Sequence, residues 1–202
     1  MEVAMIFLTA YILGGIPFGY LAGRVVGGID IREHGSRNTG TTNALRTLGV
    51  GPAIAVLVLD LGKGLAPVLI ARWLGMDSLY VMLAGVAVVA GHNWSIFLRF
   101  RGGRGVATTV GVVLGLAPQV MLIIMLIGIS ITIITRYVSL GAVIGAILLP
   151  ILMIGFEMPM PYTAFTILLS AILLWRHRPN IGRLLSGTEN KVTIAGRDSR
   201  PD

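Results

Sequence analysis

Apolar residues gather in long uncharged runs along this chain: Val3–Val26, Gly51–Ala71, Leu79–Leu98, Val106–Leu116, Gln119–Thr135, Ser139–Phe156 and Tyr162–Trp175. Crossing the hydrocarbon of a bilayer takes roughly 20 apolar residues. The pattern therefore predicts an all-α, polytopic membrane protein with seven transmembrane helices. The fourth and fifth runs together would be too long for one crossing, and Pro118 disfavours helix in the residue before it. Two helices meeting at Pro118 are expected, the fourth short for a full crossing and starting inside the protein. The first run is not expected to be a typical cleavable signal, because Glu2 stands where a basic leader would be and the run is too long for one. Residues 1–192 are expected to form one transmembrane domain, with 193–202 as a polar, mobile tail.

Composition supports this picture. Of 202 residues 55% are hydrophobic and only 12% charged, against about a quarter charged in a soluble domain. The chain has no cysteine, which excludes disulfides and thiolate chemistry. A net charge of +7 could suggest nucleic acid, but no basic soluble domain exists to bind it, and Lys and Arg accumulate on the cytoplasmic side of membrane proteins. All of the sixteen basic residues except Arg72 and Lys63 fall on one face if the N-terminus is outside and the C-terminus cytoplasmic. That orientation is the expectation. The 27 glycines mostly suit close helix packing.

Three polar segments then lie on the cytoplasmic face: Gly35 to Arg46, Gly91 to Thr108 and Arg176 to Glu189. In the first, Gly35 and Gly40 let the backbone turn amide N–H groups toward an anion. Ser36, Asn38, Thr39, Thr41, Thr42 and Asn43 add neutral donors, and Arg46 a planar fork for phosphate oxygens; Thr42 or Asn43 could equally be a helix cap. Asp60 and Lys63 share one face of an apolar span, either as a mutually neutralising pair or in contact with a substrate. In the second segment Gly102, Gly103 and Gly105 surround Arg104 just before a helix, whose N-terminus favours anions. His92 and Asn93 stand where that segment begins, with His92 either structural or catalytic. Arg99 and Arg101 suit lipid head groups. In the third, His177 and Asn180 would face one ligand if a helix continued through Pro179, and Gly187-Thr188-Glu189 offers a turn and a carboxylate.

Several chemistries are missing. None of His34, His92 and His177 has an Asp four or five residues downstream, so there is no His–Asp dyad. There is no Gly-x-Ser-x-Gly elbow, no Walker loop and no zinc or magnesium cluster. No metal and no cofactor is expected.

These motifs, in this order, resemble the bacterial acyl-phosphate:glycerol-3-phosphate acyltransferases of the PlsY type. The resemblance rests on Gly35 to Asn43 with Arg46, on Asp60-Leu61-Gly62-Lys63-Gly64, on Gly91 to Thr108, on Arg136-Tyr137-Val138-Ser139 and on Arg176 to Glu189. One position departs: the family's Gly-Gly-Lys-Gly is Gly102-Gly103-Arg104-Gly105 here. The resemblance implies transfer of a fatty acyl group from a long-chain acyl phosphate to the sn-1 hydroxyl of glycerol 3-phosphate, giving lysophosphatidic acid and phosphate. This is a step of phospholipid synthesis in the cell inner membrane, with neither acyl-CoA nor acyl carrier protein used directly. It implies that Arg46, Arg104, His177 and Asn180 bind glycerol 3-phosphate. Ser36, Asn38, Gly40, Thr41 and Asn43 would line the acyl-phosphate and oxyanion region. Asp60, Lys63, His92, Gly102, Gly103 and Ser139 would complete the pocket, Asp60 holding Lys63. The proton of the hydroxyl goes to His177 or to a substrate phosphate oxygen. A small-anion transporter is the competing expectation; it predicts polar residues near the bilayer midplane.

Overall fold

The computed structural model describes residues 2–192; the expected mobile tail, 193–202, lies outside the described residues. The architecture is all-helical. α1 (Glu2–Gly15), α2 (Phe18–Val26), α3 (Thr41–Leu48), α4 (Val50–Trp73) and α5 (Ser78–Asn93) form the first half. α6 (Val106–Leu116), α7 (Pro118–Thr135), α8 (Val138–Gly155), α9 (Met160–Arg176) and α10 (Arg178–Leu185) form the second. Five segments are long and apolar enough to cross a membrane, and α6 and α9 are shorter apolar helices. These are the seven expected runs, of which five meet the length of a crossing.

The first span, Ala4–Val26, is made of two helices. Ile16 and Pro17 separate α1 from α2, because proline has no N–H to donate and its ring clashes with the preceding turn. The Ile16 carbonyl instead accepts a 2.8 Å hydrogen bond from Lys63 Nζ on α4. The junction at Pro118 forms as expected, with Pro118 in the first turn of α7, where its missing N–H costs nothing. α6 is nearly enclosed by its neighbours, with Val112, Val113, Thr108 and Thr109 all buried.

The core is made of small β-branched and aliphatic side chains, among them Val68, Val88, Val112, Val120, Met153 and Leu169. α1 packs on α5, α4 on α6, α7 on α8 and α8 on α9. α4 and α6 meet backbone to backbone: a Cβ built on Gly64 would land on the Thr108 carbonyl, and one on Gly111 on the Leu61 carbonyl. Large apolar side chains such as Ile54, Leu126, Ile134, Ile151 and Ile154 point outward and are exposed. A bilayer, not water, is the solvent that surface fits.

Candidate active site

The first polar segment is folded around one side chain. Asn43, in the first turn of α3, is buried. Its Oδ1 accepts from the Ser36 N–H at 2.7 Å, and its Nδ2 stands 2.9 Å from the carbonyls of Ile31 and Asn38 and 3.1 Å from that of His34. With Gly35 and Arg37 both at φ 57°, the loop curls over α3. The expectation of a cap at Thr42 or Asn43 is corrected: Gly40 precedes the helix and Thr41 opens it. Asn43 spends its amide on the loop it stabilises.

In the second segment Gly105 takes φ +80°, a left-handed conformation open to glycine, and starts α6 abruptly. The loop before it is fastened from two sides. The Gly103 N–H donates to the His92 carbonyl at 3.0 Å. Arg176 donates to the Gly102 and Gly103 carbonyls at 3.1 and 2.6 Å, its guanidinium 5.7 and 6.0 Å from the ring centres of Trp94 and Trp175. Arg104 projects from this loop. Among the described residues it has neither a hydrogen bond nor an ion pair.

In the third segment the helix does break near Pro179. α9 ends at Arg176 and α10 starts at Arg178 with His177 as its cap. His177 and Asn180 nevertheless face the same space. His177 Nδ1 lies 2.9 Å from the Leu173 carbonyl. A carbonyl only accepts, so Nδ1 carries the proton and Nε2 keeps a free lone pair. Burial holds its pKa down to about 4, so the ring is neutral at pH 7.

A single cavity of about 460 Å³ joins the three segments. Its polar end is lined by Ser36, Asn38, Gly40, Thr41, Asn43, Arg46, Asp60, His92, Arg104, Ser139, His177 and Asn180, all expected from the sequence. Three of the expected residues, Lys63, Gly102 and Gly103, are not among those that line the cavity. Lys63 lies behind it, 2.7 Å from Asp60 Oδ1, both side chains only 2% exposed; its ammonium is taken up by Asp60 and Ile16. Gly102 and Gly103 lie behind Arg104, their carbonyls taken up by Arg176. The cavity's other end is apolar, lined by Leu61, Val110, Met121, Ile124, Ala146 and Leu149.

Two charged lining residues were not assigned to the site from the sequence, Arg183 and Glu189. Glu189, 6% exposed, accepts from Ser139 Oγ at 3.0 Å, Asn180 Nδ2 at 2.7 Å and Arg183 Nε at 2.8 Å. The sequence offers one hint, since Glu189 is the only carboxylate between Glu157 and Asp198. Arg183, its partner, reads in sequence as ordinary membrane-flanking charge. Glu189→Ala is expected to reduce both turnover and thermal midpoint, by about 2–3 kcal/mol of stability, because it leaves Arg183 unpaired and Asn180 without an acceptor. A melting curve in detergent identical to that of the parent protein would refute this.

The electrostatics are one-sided. Arg46, Arg104 and Arg183 meet one carboxylate, Glu189. Burial, and after it the nearby Arg183, push the Arg104 guanidinium below its ordinary pKa, as a cation short of counter-charge requires. The N-terminal ends of α3, α6 and α10 also border this space, through Thr41, Val106 and His177. Each presents unpaired N–H groups and a partial positive charge. The site can hold anionic oxygens, and the apolar arm beside it can hold a hydrocarbon chain.

A charged pocket opening into an apolar cleft between spanning helices defines a multi-pass membrane protein that handles an anionic amphiphile. The sequence model of the family described as glycerol-3-phosphate acyltransferase matches residues 4–187. Glycerol-3-phosphate acyltransferase 2 of Moorella thermoacetica is 47% identical over 92% of this chain and 95% of its own. The glycerol-3-phosphate acyltransferase of Desulforamulus reducens is 44% identical over 95% and 96%. The crystal structure of PlsY (YgiH), an integral membrane glycerol 3-phosphate acyltransferase, in its glycerol 3-phosphate form superposes with a TM-score of 0.91. It has 36% identity and covers 96% of each chain. Its lysophosphatidic acid form gives 0.88. The chain belongs to the glycerol-3-phosphate acyltransferase family and is an acyltransferase acting on glycerol 3-phosphate.

Proposed function

We propose that the acyl donor is a long-chain acyl phosphate, that the product is lysophosphatidic acid with release of inorganic phosphate, and that no protein nucleophile takes part. The observation that carries this reading is the joining, in one cavity, of three arginines gathered around Glu189, with Asp60 already paired to Lys63, to a long apolar arm. Both substrates then bring a phosphate to the same cationic end, and the donor's chain lies in the arm. Arg46, Arg104, His177 and Asn180 hold glycerol 3-phosphate. The loop from Ser36 to Thr41 takes the donor phosphate and the developing oxyanion, shaped by Asn43. Asp60, His92 and Ser139 complete the wall. The site faces the cytoplasm in the inner membrane, with the N-terminus outside, as the distribution of basic residues supports.

In the reaction the sn-1 oxygen attacks the acyl carbon and forms the new C–O ester bond. The bond from that carbon to the phosphate oxygen breaks, and the electron pair leaves with phosphate. The hydroxyl proton passes to a phosphate oxygen of the substrates. A phosphate is a good leaving group already, so positioning and charge stabilisation supply the acceleration. His177 is a poor base with a pKa near 4, but its free Nε2 can accept a hydrogen bond from the glycerol and orient it.

The test is phosphate release from palmitoyl phosphate by purified protein in lipid vesicles, dependent on glycerol 3-phosphate. No release, together with anion flux into the vesicles, would favour the transporter. The proton route has its own test. Substrate phosphate titrates near pH 6, so the acid limb of the rate profile is expected to lie at about that pH in both parent and His177→Gln. A limb that vanishes in His177→Gln would make His177 the base.

A further inference from the structure

Asp60 and Lys63 form a buried ion pair within α4, and the acyl transfer as described makes no use of Lys63. Ionisable groups at membrane depth are costly and mark a purpose. Stability is not that purpose, since a buried ion pair is often no better than an apolar pair of similar size. The contacts of the two residues point to one. Lys63 Nζ is 2.7 Å from Asp60 Oδ1 and donates to the Ile16 carbonyl at 2.8 Å, with the Phe18 ring centre 5.3 Å away. It thereby holds the chain at the break between α1 and α2. Just beyond that break, Gly19 brings α2 to backbone contact with the first polar loop: a Cβ built there would land on the Thr39 carbonyl. Thr39 is buried, and its neighbours Asn38 and Gly40 line the cavity. Asp60 leads to the second loop. Its Oδ1 also stands 3.6 Å from His92 Nδ1. The opposite nitrogen of that ring, Nε2, packs against Gly103, where a Cβ would strike it. The His92 carbonyl accepts from the Gly103 N–H at 3.0 Å, and Gly103 immediately precedes Arg104.

We propose that the Asp60–Lys63 pair is a hub that fixes the spacing of the two phosphate-handling loops, which makes Lys63 a positioning residue. One loop is reached through Lys63, Ile16 and Gly19, the other through Asp60 and His92. Every residue on these paths except Ile16 is buried, so neither path has slack to take up a shift. Apolar side chains of the same size would fill the space, but hydrophobic contact has no direction. A hydrogen bond from an ammonium and an ion pair do, and they set the Ile16 carbonyl and the His92 ring at fixed distances from one point. The effect of the hub on the rate rests on the proposed roles of the two loops; the spacing itself does not.

The absence of cysteine allows the spacing to be measured directly. Spin labels are attached at Arg37→Cys and Arg101→Cys, exposed positions in the two loops. Leu126→Cys with Ile151→Cys, exposed on α7 and α8 and off the cavity, is the control pair. Label-to-label distances are read by pulsed dipolar spectroscopy in lipid vesicles, in the parent, in Lys63→Met and in Asp60→Leu combined with Lys63→Met. Lys63→Met is expected to broaden or shift the 37–101 distance and to leave the 126–151 distance unchanged. With palmitoyl phosphate its kcat is expected to fall about a hundredfold, as a misplacement of about 1 Å can cause, with a smaller change in KM. Its thermal midpoint falls too, because Asp60 is left buried without its cation. The double variant removes that charge, so the midpoint is expected to recover while the 37–101 distance stays altered and kcat stays low. Recovery of distance and kcat together with the midpoint overturns the hub, since Lys63 would then only neutralise Asp60. A parent-like 37–101 distance in Lys63→Met overturns it as well, whatever the rate. An altered distance with an unchanged kcat supports the hub and refutes the roles given to the loops.

Discussion

Arg104→Ala is expected to lower kcat/KM for glycerol 3-phosphate by about a thousandfold, roughly 4 kcal/mol of transition-state stabilisation, in a protein that still folds. The reason is that Arg104 has no partner among the described residues, so its guanidinium is available to a ligand. Its removal deletes no internal contact of the fold, since the loop that carries it is fastened by Arg176 and the His92 carbonyl. Arg104→Lys keeps a point charge and loses the fork; a loss of no more than about tenfold is expected, less than for Ala. Arg46→Ala should cost less than Arg104→Ala, because Arg46 Nη2 already donates to the Asn190 carbonyl at 3.0 Å. A near-normal rate for Arg104→Ala in a vesicle assay would remove this residue from the phosphate site.

Gly111→Val is expected to abolish the fold's cohesion, at a cost of about 3 kcal/mol or more. A side chain there would strike the Leu61 carbonyl, which is backbone and cannot swing away. Separating α6 from α4 would also move Asp60 and Leu61 off the cavity wall, so activity should fall with stability. Gly62→Ala is the matched control. It lies in the same part of α4 with open space around its Cβ position, and a change within about 0.5 kcal/mol is expected. Thermal midpoints in detergent read both. Equal midpoints for Gly111→Val and Gly62→Ala would show that α4 and α6 are not held at backbone contact.

Much of the site is legible in the sequence because membrane insertion writes in a coarse code. Apolar length sets the helices, and the few polar segments must then share the remaining surface. Ser36, Asn38, Thr41, Arg46, Arg104, His177 and Asn180 stand out because polar side chains gathered between oily spans need a reason to be there. The same logic left Lys63 open between a partner for Asp60 and a contact for substrate. A buried ammonium does need partners, but the sequence does not reveal that one of them is the Ile16 carbonyl freed by the break at Pro17. It also passed over Arg176 and Glu189. An arginine at the foot of a span and a glutamate in a turn look like ordinary boundary residues until the chain is folded. Only then does Arg176 lie between two tryptophans against Gly102 and Gly103, and only then does Glu189 meet Ser139, 50 residues away in sequence.

The sequence by itself determined the solvent, the helices and the chemical character of the site, because each depends on residue type and local run length: apolar stretches for lipid, Gly, Asn and Thr beside Arg for an anion, and no dyad, elbow or metal cluster. The tertiary structure alone decided which polar residues face the ligand and which hold up those that do. It also decided that Arg46, Arg104 and Arg183 gather around Glu189. Those are properties of distances between residues far apart in the chain, and they follow from how closely α4 meets α6 and from where α10 lies against α8.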